Sequence, residues 1–220
     1  MSILKEGYPF IFPALVIGAI LLVVSRFTNP YMVLTLTCIV VGSIFIVFAV
    51  FCMFFFRDPK IKITQGENLI LSPCNGTVME IEETSETEKV IRVFLSVFNV
   101  HLQRSPVSGK VTDVTHKKGK FFAAWNPRAH IENEQNIITI QGDDGHVYLV
   151  RQIAGLLARR CVSWVKAGDV LKAGDKIGMI KFSSQVDLHL PKSVNIEVKS
   201  GDKTKAGITV LARKIESGAD

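Results

Sequence analysis

The chain has 220 residues, of which 48% are hydrophobic and 21% charged, and its formal net charge is +6. Such an apolar composition argues against an ordinary soluble domain and predicts one globular domain with a membrane-associated part. The positive balance is too small and too dispersed for nucleic-acid binding, and it suits an anionic membrane surface or a phosphate-bearing substrate. The four cysteines are scattered without metal-ligand spacing, so we predict free thiols and no metal site.

The first quarter of the chain is almost entirely apolar. Two apolar segments, 9–25 and 31–56, are separated by a turn-forming R-F-T-N-P at 26–30, and the one charge between residues 9 and 56 is Arg26 in this turn. The second segment is long enough to span a hydrocarbon core, and the first is at the lower limit. We therefore predict a hydrophobic helical hairpin over residues 1–56. One true span plus an interfacial segment is the alternative, because two prolines lie in the first segment.

Basic residues flank the outer ends of this hairpin. Lys5 precedes the first segment and Arg57, Lys60 and Lys62 follow the second, whereas the connection carries Arg26 alone. Positive charge next to a span favours the cytoplasmic side. The sequence therefore predicts an inner (cytoplasmic) membrane protein with both termini and the large domain in the cytoplasm.

From residue 57 the hydrophobic pattern changes to a period of two. Short runs rich in β-branched residues are separated by Gly, Pro, Asn and Asp, which is typical of strands and turns. The predicted strands are 69–71, 78–81, 90–95, 111–114, 137–140, 147–153, 186–190, 194–198 and 208–212. Residues 119–129 and 154–160 are the candidates for short helices. We predict a mostly β (α+β) sandwich- or barrel-like domain over residues 57–220.

An A-G-D motif occurs twice, at 167–169 and 173–175, and resembles the hammerhead turns of biotinyl and lipoyl carrier domains. A carrier needs an exposed lysine at a hairpin tip, and the sequence lacks such a tip. A membrane-tethered carrier is therefore the weaker alternative, and the repeated motif bears on fold.

The stretch G-M-I-K-F-S-S-Q-V-D at 178–187 places two adjacent hydroxyls, Ser183 and Ser184, between an apolar run and a strand. In a strained turn a serine oxygen can attack the preceding carbonyl and shift the acyl group from N to O. β-Elimination of the ester then leaves a pyruvoyl group on a new N-terminus. A polar turn between strands is the alternative interpretation.

Two further sets of residues are suited to chemistry. His101 ends an apolar strand beside a basic, turn-rich stretch, and histidine is the side chain best placed to take a proton from serine at neutral pH. Arg151, Arg159 and Arg160 flank Q-I-A-G at 152–155, and a guanidinium group can hold phosphate with two hydrogen bonds. A half-buried structural histidine and a solvated arginine face are the alternatives.

Together these motifs resemble the phosphatidylserine decarboxylases of the short, membrane-anchored bacterial type. The resemblance covers nearly the whole chain. It rests on the hairpin and on the following motifs: F-F-R-D-P at 55–59, S-P-C-N-G at 72–76, F-N-V-H at 98–101, H-K-K-G at 116–119, E-N-E at 132–134, R-Q-I-A-G at 151–155 with A-R-R at 158–160, the 178–187 stretch and L-P at 190–191.

The resemblance implies a proenzyme that cuts itself before the motif serine. Ser184 would become the pyruvoyl cofactor of an α chain, 184–220, with a β chain of 1–183. This carbonyl would form a Schiff base with the amine of phosphatidylserine and promote its decarboxylation to phosphatidylethanolamine; an ether-lipid serine headgroup would react alike. His101 stands at the histidine of the family's processing triad and Asn75 at its aspartate.

Three positions depart from the family pattern. Ser183 stands where the family has glycine, Asn75 where it has aspartate, and Gln185 where this subgroup usually has arginine. Asn75 can orient a histidine but brings no charge, and Ser183 lacks the conformational freedom of glycine. We therefore expect slow processing, and an unprocessed, lipid-binding membrane homologue is the second hypothesis. A homodimer is left open.

Overall fold

The computed structural model of the chain describes residues 2–28, 30–83, 87–122, 126, 128–155, 160–181 and 184–215. The helices are α1 (Tyr8–Val24), α2 (Met32–Phe55) and α3 (Ala129–Glu132). The strands are β1 (Ser2–Ile3), β2 (Arg57–Asp58), β3 (Leu69–Leu71), β4 (Gly76–Glu83), β5 (Glu88–Leu95), β6 (Leu102–Arg104), β7 (Gly109–Lys117), β8 (Gln135–Gly142), β9 (Val147–Ala154), β10 (Cys161–Ser163), β11 (Val170–Leu171), β12 (Lys176–Ile180), β13 (Ser184–Pro191), β14 (Val194–Ile196), β15 (Lys203–Thr204) and β16 (Val210–Lys214). The prediction of a mostly β chain with an apolar helical pair is confirmed.

The chain divides into two compact units after Lys60, four residues beyond the boundary that the sequence predicts. In the first unit α1 and α2 form the hairpin, and each helix is long and apolar enough to cross a membrane. A Cβ atom on Gly18 would lie 3.0 Å from the carbonyl oxygen of Gly42, and one on Gly42 would lie 3.1 Å from that of Gly18. Glycine at both positions therefore lets the two backbones approach closely.

In the second unit, eight strands form one antiparallel sheet in the order β11-β7-β8-β9-β13-β5-β4-β15. The sheet is curled into a half-barrel. β-Bulges interrupt its register between Val78 and Glu80 and between Val111 and Asp113, and bulges increase the local twist of a sheet. β13 lies between β5 and β9 near the middle of the sheet.

Two three-stranded sheets, β10-β12-β6 and β14-β16-β3, complete this unit. The hydrophobic core is shared by all three sheets. From the large sheet it takes alternate residues of β13, namely Val186, Leu188 and Leu190, while Ile180 comes from β12 and Leu211 from β16. Alternation along β13 therefore points its even-numbered side chains into the core.

Because neighbouring strands are antiparallel, one end of the large sheet collects the last residues of β7, β9 and β5 and the first residues of β8, β13 and β4. We call this the serine end. Its strand termini are Lys117, Gln135, Ala154, Ser184, Leu95 and Gly76. The described residues next to these strand ends therefore lie at the same end of the sheet as Ser184.

The repeated A-G-D motif forms the same tight turn each time. The carboxylate of Asp169 accepts a hydrogen bond from the backbone N–H of Lys166, at 2.9 Å, and Gly168 has a φ of +99°. The turns of Asp175 and Asp202 repeat this bond at 2.8 and 2.9 Å. Glycine tolerates the positive φ that the turn requires. The third copy, K-S-G-D at 199–202, is one that the sequence analysis missed.

The helix predicted at 119–129 is wrong for the described residues before Ala129. Lys120 instead forms an isolated bridge with Asn133, and the helix α3 begins only at Ala129. A Cβ atom on Gly119 would lie 2.3 Å from the carbonyl oxygen of Glu132, so this segment is pressed against the chain before β8. Tertiary packing therefore overrides the local helical pattern. Of the second candidate helix, 154–160, residue 154 ends β9 and 156–159 lie outside the described residues.

Candidate active site

Ser184 is the first residue of β13, at the point where the chain passes from one sheet to another. Ile180 ends β12 in a small sheet, and Ser184 begins β13 in the large one. Its backbone pairs with Leu95 on one side and Ala154 on the other. Ser183, the other residue of the predicted cleavage site, lies outside the described residues. The predicted nucleophile is therefore held by two neighbouring strands immediately after a change of sheet.

The side chain of Ser184 is fully buried, and within the described part of the chain its hydroxyl has no hydrogen-bond partner. By the alternation of β13 this side chain lies on the core side of the sheet. A buried polar atom without a partner costs free energy, so such atoms are rare and call for an explanation. A hydroxyl kept for reaction, and not for structure, is one such explanation.

His101 lies beside the segment that leads to Ser184. Its backbone oxygen accepts a hydrogen bond from the N–H of Ile180 at 3.3 Å, and its side chain is 1% exposed. The ring atom Nδ1 lies 3.0 Å from the carbonyl oxygen of Asn99. Since a carbonyl can only accept, Nδ1 carries the proton, and Nε2 is the nitrogen that can take one up. The structure therefore brings the predicted base close to the cleavage segment in a suitable tautomer.

Asn75 immediately precedes β4 at the serine end. Its amide oxygen accepts a hydrogen bond from the backbone N–H of Ala206 at 3.0 Å. The adjacent Gly76 packs tightly on β5, because a Cβ atom there would lie 2.3 Å from the carbonyl oxygen of Phe94. β5 separates β4 from β13, so Asn75 is two strand spacings, about 10 Å, from Ser184. The three predicted residues thus share one end of the sheet, while the contact described for Asn75 is to Ala206.

A chain of buried amides runs through the core to the backbone of His101. Gln103 donates to the carbonyl oxygen of His101 at 2.7 Å, and Gln152 donates to Gln103 at 2.8 Å. Asn136 donates to Gln152 at 3.1 Å, and the amide oxygen of Asn136 lies 2.7 Å from Nδ1 of His116. Gln103 and Gln152 are fully buried. Because each amide donates to the next, the network fixes the position of the His101 segment.

The opposite face of β13 carries a second buried polar group. The carboxylate of Asp187 is 1% exposed, accepts a hydrogen bond from Gln185 at 2.6 Å and lies 3.8 Å from Nε of Arg92. Burial raises the pKa of Asp187, although Gln185, Arg92 and Arg151 act in the other direction. Arg92 itself donates to two glutamates of β4. This cluster lies across the sheet from the Ser184 side chain, so it does not line the site.

Arg151 belongs to this second cluster. It donates to the side chain of Gln135 at 2.7 Å and to the carbonyl oxygen of His130 at 3.2 Å. These contacts give Arg151 a structural role across the sheet from Ser184, and its phosphate binding stays a prediction. Arg159 lies outside the described residues, and Arg160 is exposed at the serine end.

The two thiols of the second unit, buried Cys74 and half-buried Cys161, are poor nucleophiles. Burial raises the pKa of Cys74, and it raises that of Cys161 to about 12. A thiol reacts as its thiolate, so neither competes with Ser184. Among the residues that the structure describes, no group of three or more His, Cys, Asp or Glu side chains is placed to hold a metal ion.

Sequence reasoning missed the amide network and Asp187. A period-two pattern predicts that the polar residues of a strand face water, yet Gln185, Asp187 and Gln152 are buried. The sequence signal that could have indicated the network is the presence of amide side chains on three strands, namely Gln103, Asn136 and Gln152. It becomes specific only when the register brings these strands together.

Comparison with known proteins identifies the family. The sequence profile described as phosphatidylserine decarboxylase matches residues 48–212. The chain is similar to a protein named phosphatidylserine decarboxylase proenzyme from Geotalea uraniireducens (strain Rf4), with 40% identity over 215 residues and 95% of each chain covered. It is 41% identical over 213 residues to the protein of the same name from Geobacter sp. (strain M21), with 94% of each chain covered. It is 39% identical over 217 residues to the one from Symbiobacterium thermophilum, with 96% of this chain and 95% of the relative covered. The chain therefore belongs to the phosphatidylserine decarboxylase family.

Proposed function

We propose that this chain is a self-processing decarboxylase that converts phosphatidylserine to phosphatidylethanolamine at a membrane surface. Its family makes it a decarboxylase, and its relatives are named as proenzymes. The observation that carries the proposal is the Ser184 hydroxyl, which is fully buried and has no hydrogen-bond partner among the described residues. Ser184 lies shortly after Ile180, whose backbone N–H donates to the carbonyl oxygen of His101.

In the proposed processing step the hydroxyl oxygen of Ser184 attacks the carbonyl carbon of Ser183. His101 accepts the hydroxyl proton at Nε2 while the carbonyl oxygen of Asn99 holds Nδ1. The peptide bond becomes an ester, and elimination then releases the carboxylate of Ser183 and leaves a dehydroalanine at position 184. Its enamine tautomerises to an imine, and water hydrolyses the imine to the pyruvoyl group with loss of ammonia. Asn75, by holding the backbone at Ala206, fixes one side of the site.

The α chain of 184–220 and the β chain of 1–183 are proposed to remain together after the cut. β13 belongs to the α chain, and it pairs over its length with β5 and over most of its length with β9, both of which belong to the β chain. Its even-numbered side chains also lie in the common core. Cleavage before Ser184 therefore leaves the sheet intact.

A pyruvoyl group derived from Ser184 is the proposed cofactor. The site fits it, because the side chain of residue 184 is fully buried and its hydroxyl has no hydrogen-bond partner among the described residues. A pyruvoyl carbonyl supplies an electron sink for decarboxylation of an amino acid headgroup. His101 is the proposed proton donor to the product. Arg160 is a candidate for binding the lipid phosphate. The sequence also predicts Arg151 and Arg159 for this role.

We also propose that the hairpin crosses the inner membrane with the catalytic unit in the cytoplasm. Two apolar helices support membrane association, and the flanking lysines and Arg57 support the orientation. No comparison favours the unprocessed lipid-binding alternative.

The test is release of CO₂ from phosphatidylserine dispersed in detergent with the purified full chain. We expect turnover that borohydride, a reagent that reduces carbonyl groups, abolishes, and no turnover with Ser184→Ala. A conservative variant away from the site, Gln141→Glu, serves as the control. Equal turnover by Ser184→Ala and the unmodified chain would overturn the proposal, as would a complete lack of turnover by a folded, cleaved protein.

A further inference from the structure

We propose that the serine end of the large sheet is a second membrane contact, which docks on anionic phospholipid in addition to the helical hairpin. The inference rests on the proposed function, because a site that acts on a bilayer lipid has to face the bilayer. It concerns a surface that is separate from the two apolar helices and that lies entirely in the second unit.

Large apolar side chains are exposed on the loops at this end. Phe98 is 70% exposed on the turn after β5, Ile131 is 58% exposed on α3, and Phe121 is 36% exposed on the segment after β7. Together they form what we call the apolar rim. Exposed single apolar residues are common, but aromatic and aliphatic side chains clustered around one site are typical of interaction surfaces.

Hydrogen bonds fix the rim segments to the strands around Ser184. The side chain of Asn133 accepts from the N–H of Phe122 at 2.8 Å and donates to the carbonyl oxygen of Ala154, the partner of Ser184, at 2.6 Å. On the other side, Asn99 caps the turn after β5 by accepting from the N–H of Ser96 at 2.9 Å. The rim is therefore held in place beside the site.

Positive charge accompanies the apolar rim. Exposed or half-buried cations on the same loops are Lys117, Lys118, Lys120, Arg128, Arg160 and Lys181. Within the described residues of these loops the opposing acids are Glu132 and Glu134, and Glu132 already pairs with Lys120 and Arg128, at 2.7 and 2.6 Å. The serine end thus carries more cations than acids and complements an anionic surface.

The loop after β15 also lies at the serine end, and it contacts the start of the second unit. The N–H of Thr64 donates to the carbonyl oxygen of Gly207 at 3.0 Å, next to Ala206, which binds Asn75. β15, which precedes this loop, pairs with Gly76 at the serine end. A bilayer at this end would receive apolar side chains between its headgroups and neutralise the lysines.

Hydrogen exchange of the full chain in nanodiscs tests the proposal. One set of discs contains phosphatidylcholine alone, and the other adds phosphatidylglycerol, an anionic lipid that is not the proposed substrate. We expect amides of segments 96–99, 118–122 and 128–132 to exchange several-fold more slowly in the anionic discs at low salt. The difference should disappear at high salt, because screening weakens the contact. The far turn 142–146 should exchange equally in both.

Matched variants separate the rim from exposed apolar residues in general. Phe98→Ser with Ile131→Ser should remove the lipid-dependent protection, whereas Val170→Ser, which changes an exposed valine at the other end, should retain it. Lys117→Gln with Lys118→Gln provides a second test that leaves the apolar residues unchanged, and it should weaken the protection. Unchanged exchange at 142–146 in each variant shows that the unit is folded.

Equal exchange of the rim segments in neutral and anionic discs would overturn the proposal. Protection that follows protein concentration in neutral discs would also overturn it, because the surface would then bind a second copy of the chain. The CO₂ assay in detergent, run on the same preparation, keeps the two proposals apart. Turnover without lipid-dependent protection removes the docking surface alone, and protection without turnover removes the proposed function alone.

Discussion

The amide oxygen of Asn75 accepts a hydrogen bond from the backbone N–H of Ala206 at 3.0 Å. This bond joins the segment before β4 to the loop after β15, at the end of the sheet where Ser184 lies. An aspartate at position 75 can accept the same bond and adds a negative charge to the site. The side chain at 75 therefore has a structural role that amide and carboxylate share, and an electrostatic role that the carboxylate alone can fill.

Asn75→Asp should accelerate cleavage before Ser184. A carboxylate near His101 favours the imidazolium that forms when the ring takes up the serine proton. Each pKa unit by which it stabilises the imidazolium corresponds to about a tenfold effect on proton uptake. Mass spectrometry of samples taken during expression measures the fraction cut. Asn75→Leu, which removes the bond to Ala206 and adds no charge, is the control, and its rate of cleavage should not exceed that of the unmodified chain. Equal rates of cleavage for Asn75→Asp and Asn75→Leu would contradict the electrostatic role.

Gln103→Leu should slow the cleavage and lower the free energy of unfolding. The substitution removes the donor to the His101 carbonyl and leaves the buried amide of Gln152 with only its longer bond, to the carbonyl oxygen of Val162 at 3.4 Å, a loss of about 1–3 kcal/mol. Thermal unfolding in detergent and the rate of cleavage are the two measurements. Gln141→Leu, at a half-buried position with a weaker contact of 3.4 Å, should change the stability by about 0.5 kcal/mol or less. If Gln103→Leu is less stable but is cleaved at an unaltered rate, the amide network has a structural role and no role in cleavage.

Protonation of His189 should destabilise the fold as the pH falls. Burial lowers the pKa of this histidine, although Glu88, 2.8 Å away, acts in the other direction. The unfolded chain therefore binds the proton more readily, and the stabilising contribution is complete above a pH of about 6.5 and declines below it. In thermal unfolding, the unmodified chain should lose stability relative to His189→Gln between pH 8 and pH 5. A difference that is constant over this range would show that His189 does not titrate on unfolding.

The proposed orientation predicts which positions are accessible from outside the cell. Phe27, in the turn between α1 and α2, is 80% exposed and suits labelling better than the neighbouring Thr28, which is buried and bonded to Thr35 at 2.8 Å. In intact cells a membrane-impermeant maleimide should label Phe27→Cys and should not label Lys62→Cys. The unmodified chain gives the background from the four native cysteines. Labelling at 62 alone would reverse the orientation.

Hydrophobic patterning predicts the helical hairpin and most long strands. The predicted run 90–95 lies within β5, and 147–153 lies within β9. These elements follow from local periodicity, since alternate apolar residues need one common core. Short strands such as β6 and β15 were missed, because two or three residues carry no periodicity and pair only where longer strands place them.

The candidate site shows the same limit. The family resemblance indicates Ser184 and His101, and the structure brings their segments together. The resemblance gives no sign that Gln152 bonds with Gln103, 49 positions away, or that Asp187 is buried beside Arg92. Such contacts depend on the register of strands that are distant in sequence. Asp187 also breaks the expectation that the polar face of a strand meets water.

The most direct test of self-processing is the mass of the chain that carries both Asn75→Asp and Ser183→Gly. The account predicts two fragments, the smaller beginning at position 184 with a pyruvoyl group in place of an amine. Adding Ser184→Ala to the same background should leave one uncut chain. A doubly substituted protein that is folded, as judged by circular dichroism, and remains a single intact chain would contradict the account.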